Sequence, residues 1–116
     1  MRRQRSEREG RHGEDAAARH LEADGWQILA RRVRNKAGEI DIVARRAGMV
    51  AFVEVKWRAA VADLDLAIDS RRLGRVAAAA EAEMHRFMNA GDDCRIDVIL
   101  LAPGQRPRHL ENVGQF

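Results

Sequence analysis

Residues 38–57, GEIDIVARRAGMVAFVEVKW, contain two runs of alternating apolar and polar residues separated by a short turn. The runs Glu39–Arg45 and Val50–Trp57 have the period of two that is typical of β-strands. Between them, a hairpin turn centred on Ala47–Gly48 sets the register of the two strands. The stretch therefore predicts an antiparallel hairpin at the centre of the fold.

Charged residues lie in the middle of both predicted strands. In this register Asp41 is directly opposite Glu54, and Lys56 follows two residues later on the same strand face as Glu54. Opposed carboxylates with Cβ atoms about 5 Å apart repel each other, so a cation is expected between them. Carboxylate oxygens suit Mg²⁺ or Mn²⁺, and such an ion polarises a phosphate and lowers the pKa of a bound water.

The alternation also assigns each side chain of the hairpin to a face of the sheet. In the first strand one face is predicted to carry Glu39, Asp41 and Val43, and the other face Ile40, Ile42 and Ala44. In the second strand one face is predicted to carry Phe52, Glu54 and Lys56, and the other face Val53, Val55 and Trp57.

Lys56 adds to the metal-site interpretation because Lys36 and Lys56 are the only two lysines among 21 Lys and Arg residues. A partly desolvated Lys can titrate or stabilise an attacking hydroxide, which Arg cannot do by losing its proton. The alternative is an ion-pair patch of Asp41, Glu54 and Lys56 on a solvated sheet face. Composition and spacing alone favour neither interpretation.

Periodicity elsewhere predicts an α/β fold, a mixed central sheet flanked by helices in the order α-β-β-β-α-β. The predicted elements are a helix over 7–24, strands over 26–33, 39–45 and 50–57, a helix over 70–88, a strand over 95–101 and a short edge strand over 109–113. The fourth strand follows a crossover helix, so it can lie parallel to the third. In the first helix, predicted to be capped by Ser6 and stopped by Gly25, Glu14 borders the apolar stripe.

Length and composition bound the remaining possibilities. A chain of 116 residues with 46% hydrophobic and 34% charged residues fits a single domain, expected over 10–116 after a basic, flexible leader over 1–9. A net charge of +3 makes an acidic partner such as nucleic acid plausible. Cys94, the single cysteine, suits a reducing compartment, and no run approaches the roughly 20 apolar residues of a membrane span. The protein is therefore expected to be cytoplasmic.

The paired motifs resemble those of a known family. Gly38-Glu39-Ile40-Asp41-Ile42-Val43-Ala44 followed by Phe52-Val53-Glu54-Val55-Lys56-Trp57-Arg58 is similar to the YraN-like family of bacterial proteins, which is assigned to the restriction-endonuclease-like, PD-(D/E)xK superfamily. Gly13-Glu14 and Arg95-Ile96-Asp97-Val98 extend the similarity, although Arg32 and Arg72 stand where that family commonly has Asn and Lys. The layout also resembles archaeal Holliday-junction resolvases.

The resemblance implies a metal-dependent endonuclease acting on structured or branched DNA. It implies that Glu14, Asp41, Glu54 and Lys56 are catalytic, and that Asp41, Glu54 and the Val55 carbonyl bind Mg²⁺ or Mn²⁺. A homodimer would suit a junction. The cationic residues expected to contact nucleic acid are Arg58, Arg71, Arg72 and Arg75. The alternative is a non-catalytic nucleic-acid-binding or assembly module that retains the fold.

Overall fold

The computed structural model describes the backbone of residues 2–58 and 70–114 and the side chains of residues 13–58 and 71–114. Its elements are α1 (Arg2–Ala23), β1 (Gln27–Asn35), β2 (Gly38–Arg46), β3 (Met49–Trp57), α2 (Ser70–Phe87), β4 (Asp93–Leu101) and β5 (Arg108–Leu110). This is the predicted order of elements, with β5 as the predicted edge strand, so the α/β class is confirmed.

The strands form one mixed sheet of five strands in the order β1-β2-β3-β4-β5. The pairs β1–β2, β2–β3 and β4–β5 are antiparallel, and β3–β4 is parallel over its whole length from Met49↔Asp93 to Trp57↔Leu101. The predicted parallel position of the strand after α2 is therefore correct. It places β3, which carries Glu54 and Lys56, at the centre of the sheet.

One helix covers each face of the sheet. Ala17, Ala18 and Leu21 of α1 are buried against one cluster of sheet side chains, and Val76, Ala79 and Ala80 of α2 are buried against the other. The helix predicted over 70–88 thus packs one apolar face on the sheet. In the described ranges, no helix combines the length and apolar character that a membrane span needs.

The turn between β2 and β3 has the conformation that the sequence predicts. Ala47 and Gly48 both have positive φ, of 47° and 76°, which is the pattern of a two-residue type I′ hairpin. The ladder then runs from Arg46↔Met49 to Ile42↔Val53. The predicted hairpin register is confirmed over all of these pairs.

The first helix starts earlier than predicted. It begins at Arg2, so Ser6 lies inside the helix and is not its cap, and the helix covers most of the segment predicted as a leader. Arg, Gln and Glu are good helix formers, and their run here extends the helix toward the N-terminus. The predicted stop is correct: Gly25 has a φ of 86°, and the Trp26 amide donates to the Leu21 carbonyl at 2.9 Å.

The predicted alternation of β2 is wrong at one point. Ile40 packs with Val43 on the α2 side of the sheet, whereas Ile42 packs on the α1 side. The backbone pairs Val33↔Ile40 and Arg31↔Ile42 flank the irregularity, and Arg32 between them has a φ of 54°. This left-handed residue lies across from Asp41, so the strand changes face at the predicted site.

Candidate functional site

Asp41 lies where the β2–β3 ladder ends. The last backbone pair is Ile42↔Val53, so the predicted pair of Asp41 and Glu54 falls one position beyond the ladder. There the Asp41 side chain takes over a backbone role, because its Oδ2 accepts a hydrogen bond of 2.7 Å from the Val55 amide. The carboxylate is thereby held between the two strands, next to Glu54.

The surroundings of Asp41 disfavour its negative charge. The pKa of this carboxyl is raised from 3.8 to about 6, mainly by burial and also by the charges of Glu54, Glu14 and Glu39, against a lowering effect of the Val55 amide. The three acids predicted from the sequence are thus close enough to interact. Near neutral pH the Asp41 carboxylate is a half-buried anion that a divalent cation would stabilise.

Glu54 and Lys56 form a buried ion pair on β3. Glu54 is 2% exposed and Lys56 5% exposed, with 2.9 Å between Lys56 Nζ and Glu54 Oε1. The interpretation as a patch on a solvated sheet face is therefore wrong, because both side chains are almost fully buried. Arg72 of α2 contributes a second cation, with its Nε 2.9 Å from the same Oε1 atom.

The second carboxylate oxygen of Glu54 is buried without a hydrogen-bond partner among the residues that the structure describes. An unpartnered buried carboxylate oxygen is costly, and it calls for an ion, a water or a movement that satisfies it. With Asp41 beside it, this oxygen belongs to a donor set of the kind that Mg²⁺ and Mn²⁺ prefer. The donor atoms of Asp41 and Glu54 therefore have the chemistry that a divalent cation needs.

Glu14 approaches from α1 and is bound to arginines of β1. Its side chain is 10% exposed, both of its carboxylate oxygens lie 3.2 Å from Arg32 Nε, and Oε1 lies 3.8 Å from Arg31 Nη2. Arg32, the residue with left-handed backbone, thus holds the acid that lies nearest Asp41 on the α1 side. The prediction that Glu14 lies at the border of the buried helix face is confirmed.

The predicted acids are gathered but not arranged as a set of metal ligands. Within the described ranges, no three His, Cys, Asp or Glu side chains form a group that could hold a metal ion in this arrangement. The reason is visible in the contacts, since Arg32 binds Glu14 while Arg72 and Lys56 bind Glu54. Protein cations neutralise Glu14 and the Oε1 atom of Glu54, so a metal at this site would compete with them for these acids.

The arginines predicted to contact nucleic acid lie around this site in different roles. Arg72 forms an ion pair with Glu54. Arg75, one turn further along α2, lines a cleft whose wall includes Glu54. Arg58 follows β3 and donates from Nη1 to the Trp57 carbonyl at 2.9 Å, and Arg71 is exposed at the start of α2. The Val55 amide donates its hydrogen bond to Asp41, and the Val55 side chain packs toward α1.

Sequence reasoning missed the turn between β1 and β2 as part of this site. The cleft beside Glu54, about 620 Å³ in volume, is lined on one side by residues 34–39. The Asn35–Gly38 segment was recognisable as a turn from its Asn and Gly. Its position against α2 depends on contacts between residues about 40 positions apart, which no local pattern reports.

Asp97 has a structural environment. It is fully buried and accepts hydrogen bonds from the Asn112 amide at 2.9 Å and from His109 Nε2 at 2.6 Å, and Arg95 Nε lies 3.0 Å from its Oδ1 atom. These contacts attach the chain around β5 to β4. The site of Asp41 and Glu54 does not include it.

Comparison with known proteins identifies the family of the chain. The profile described as "Uncharacterised protein family UPF0102" matches residues 13–101. The chain is 61% identical over 115 residues to a UPF0102 protein of Erythrobacter litoralis and 56% identical over 115 residues to one of Sphingopyxis alaskensis, covering 99% of both chains in each case. A UPF0102 protein of Rhizorhabdus wittichii is 51% identical over 112 residues, with 97% of this chain and 95% of the relative covered. The match contains every acid of the site, and the chain belongs to the UPF0102 family, the YraN family that its paired motifs resemble.

Proposed function

We propose that this chain is a divalent-metal-dependent endonuclease with a restriction-endonuclease-like, PD-(D/E)xK core, which hydrolyses phosphodiester bonds in structured or branched DNA. The observation that carries the proposal is the buried Glu54 carboxylate with an unpartnered Oε2 atom, beside an Asp41 carboxyl whose pKa is raised to about 6. An acid with a raised pKa, next to a second acid that lines a cleft, is an arrangement typical of catalytic sites.

Asp41, Glu54 and the backbone carbonyl of Val55 are the groups that would hold Mg²⁺ or Mn²⁺. Such an ion supplies positive charge for phosphate oxygens and makes a bound water more acidic. Lys56, 2.9 Å from Glu54, is placed to donate a hydrogen bond to the attacking water oxygen and to stabilise its developing negative charge. Glu14 completes the acidic set from the α1 side.

Arg72 has a second role in this proposal. Its side chain is 52% exposed, so it can leave Glu54 at little cost, and it projects from α2 into the cleft. A guanidinium that leaves Glu54 is placed to bind a phosphate oxygen of the substrate, which it can do with two parallel hydrogen bonds. Arg72 would thus exchange one anionic partner for another when metal and DNA bind.

A branched substrate agrees with a homodimer, because two copies of the chain would present two such sites to the two strands that a junction resolvase cuts. Analytical ultracentrifugation with and without a four-way junction tests this part separately. A monomer under both conditions would contradict the junction-resolving version and leave a single-site nuclease.

The test is cleavage of labelled substrates with Mg²⁺ or Mn²⁺, using a four-way junction, a flap, a duplex, a single strand and an RNA. Wild-type protein is expected to cut at least the junction or the flap, and Asp41→Asn and Glu54→Gln to cut neither. Glu81→Gln, which changes an exposed acid of α2, is the matched control and should cut like wild type. Absence of cleavage by wild type on every substrate and with both metals would contradict the proposal.

A second candidate is a non-catalytic nucleic-acid-binding or assembly module. The observation that favours it is the neutralisation of the acids by protein cations, Arg32 on Glu14 and Arg72 and Lys56 on Glu54. Calorimetric titration with Mn²⁺ separates the two candidates. Binding that is lost in Asp41→Asn and in Glu54→Gln supports the nuclease, whereas no binding by folded wild-type protein supports the module.

A further inference from the structure

From the geometry around the β1–β2 turn we infer that this turn and α2 form a binding cleft for the backbone phosphates of a DNA strand, with Lys36 and Arg75 as its phosphate contacts. The inference rests on the proposed function for the identity of the ligand, and it assigns a binding role to a turn outside the acidic site. The cleft has a volume of about 620 Å³ and a wall that includes Glu54.

The charge of the cleft favours an anionic ligand. Its lining contains four cationic and two acidic side chains, which are Arg34, Lys36, Arg72, Arg75, Glu39 and Glu54. The acids are already engaged, since Arg34 Nε lies 3.2 Å from Glu39 and Arg72 Nε 2.9 Å from Glu54. Within the described ranges Lys36 and Arg75 have no acidic partner, and both are exposed. Their charge is available to a ligand.

The two walls are held in a fixed relation to each other. Asn35 Nδ2 donates to the Ala79 carbonyl of α2 at 3.1 Å and to Glu83 at 3.3 Å. The Asn35 Oδ1 atom accepts from the amides of Ala37 and Gly38 at 2.9 and 3.2 Å, which shapes the turn itself. One side chain thus both closes the turn and attaches it to the helix.

Gly38 allows the turn to come this close. A Cβ atom at this position would lie 2.7 Å from the backbone carbonyl oxygen of Arg75, a distance that side chains do not tolerate. Backbone contacts backbone at the base of the cleft, so Lys36 and Arg75 are set on facing walls without depending on a flexible loop. A preorganised arrangement of this kind lowers the cost of binding.

The position of the cleft suits a strand that passes the acidic site. Glu54 belongs to the cleft lining, and its unpartnered Oε2 is the group proposed to bind metal. Phosphates bound by Lys36 and Arg75 would therefore flank the scissile phosphate of the same strand. Contacts of this type set affinity and register without reading bases.

The experiment measures binding of a fluorescein-labelled four-way junction in EDTA, so that no cleavage occurs, over a range of salt concentrations. Lys36→Ala and Arg75→Ala are each expected to weaken binding about fivefold to tenfold in 0.1 M salt and to reduce the slope of log K against log salt by about 0.9. Lys36→Arg and Arg75→Lys should restore most of the affinity. Arg19→Ala, an exposed cation of α1 on the opposite sheet face, should bind like wild type.

The outcomes separate this inference from the proposed nuclease activity. Affinity and slope that change equally in Lys36→Ala, Arg75→Ala and Arg19→Ala would indicate diffuse electrostatic attraction and overturn the inference, as would absence of binding by wild type. If wild type cleaves but both cleft variants bind like wild type, the nuclease activity is supported and the binding cleft is contradicted. If binding depends on both cleft residues but wild type does not cleave, the binding cleft is supported and the nuclease activity is contradicted.

Discussion

The carboxylate of Asp41 accepts a hydrogen bond from the backbone amide of Val55, with 2.7 Å between Oδ2 and N. Backbone pairing of β2 and β3 stops at Ile42↔Val53, and the Asp41 side chain supplies the next hydrogen bond between the two strands. Asp41 therefore has a structural role in the metal-free protein, and a variant that lacks an acceptor oxygen changes the stability as well as the proposed chemistry.

Asp41→Ala is expected to destabilise the protein by about 1–3 kcal/mol, because the Val55 amide loses its acceptor. Asp41→Asn keeps an oxygen in place and should retain most of the stability, yet both variants should lose Mn²⁺ binding. Urea unfolding without divalent cation measures the first effect, and calorimetry measures the second. Equal stability of the two variants would contradict the structural role of the hydrogen bond.

The raised pKa of Asp41 predicts a pH dependence of the metal-free protein. The folded state holds this proton more tightly than the unfolded state, since burial raises the pKa from 3.8 to about 6. Its contribution to stability is therefore complete below pH about 4 and is lost as the pH rises through about 6. The free energy of unfolding of wild type, relative to Asp41→Asn, should fall across that range and then stay level. A difference that rises with pH would contradict the assignment.

Arg72 is expected to compete with a metal for Glu54. Arg72→Gln removes a cation 2.9 Å from the Glu54 carboxylate and should tighten Mn²⁺ binding by up to about fivefold, the equivalent of 1 kcal/mol for a largely exposed pair. It should weaken binding of the junction in EDTA, because a phosphate contact is lost. Arg86→Gln, near the end of α2, is the control for both measurements. Weaker Mn²⁺ binding in Arg72→Gln alone would show that Arg72 supports the metal site instead.

Two glycines near the cleft provide a matched pair of substitutions. Gly38→Ala forces a Cβ against the Arg75 carbonyl and is expected to cost about 1–3 kcal/mol, and also to weaken junction binding as the walls separate. Gly74→Ala lies in the interior of α2 with open space around the added carbon and should stabilise the protein by about 0.5–1 kcal/mol. Thermal unfolding of both variants checks the signs. A stabilising Gly38→Ala would mean that the turn is not pressed against the helix.

The lowered pKa of Asp97 predicts that acid destabilises the folded protein. Burial opposes ionisation of this carboxyl, but the hydrogen bonds from His109 and the Asn112 amide, together with the charge of Arg95, outweigh it and hold its pKa below the ordinary 3.8. Its contribution to stability is thus present above pH about 4 and is lost as the pH falls through the lowered pKa. Asp97→Asn should be less stable than wild type at neutral pH, by about 1–3 kcal/mol, and the gap should narrow at lower pH. Glu22→Gln, which changes an exposed acid of α1, serves as the control.

The hairpin shows how far the sequence alone can specify this site. Ala47–Gly48 and the alternating runs on either side predict the register correctly, because turn type and strand twist are local properties. That register brings Asp41 and Glu54 onto neighbouring strands. The switch of face at Asp41 was not predictable, since it depends on a left-handed conformation at Arg32, a residue type that rarely adopts it.

Contacts between distant elements account for the rest of what the sequence did not reveal. Whether Glu54 and Lys56 are buried depends on what packs over them, and nothing in the pattern of β3 distinguishes a covered face from a solvated one. The attachment of Asn35 to α2 is of the same kind, because a turn signal specifies local conformation and not the surface that the turn contacts.

The left-handed Arg32 has a further consequence because β1 is an edge strand. A second irregularity, the register shift between Ile28 and Ala30, interrupts the same strand, and arginines at 31, 32 and 34 add positive charge along it. An edge broken at two points cannot offer a continuous row of amides and carbonyls to a strand from another molecule. The open side of the sheet is therefore protected against edge-to-edge aggregation when the protein is concentrated.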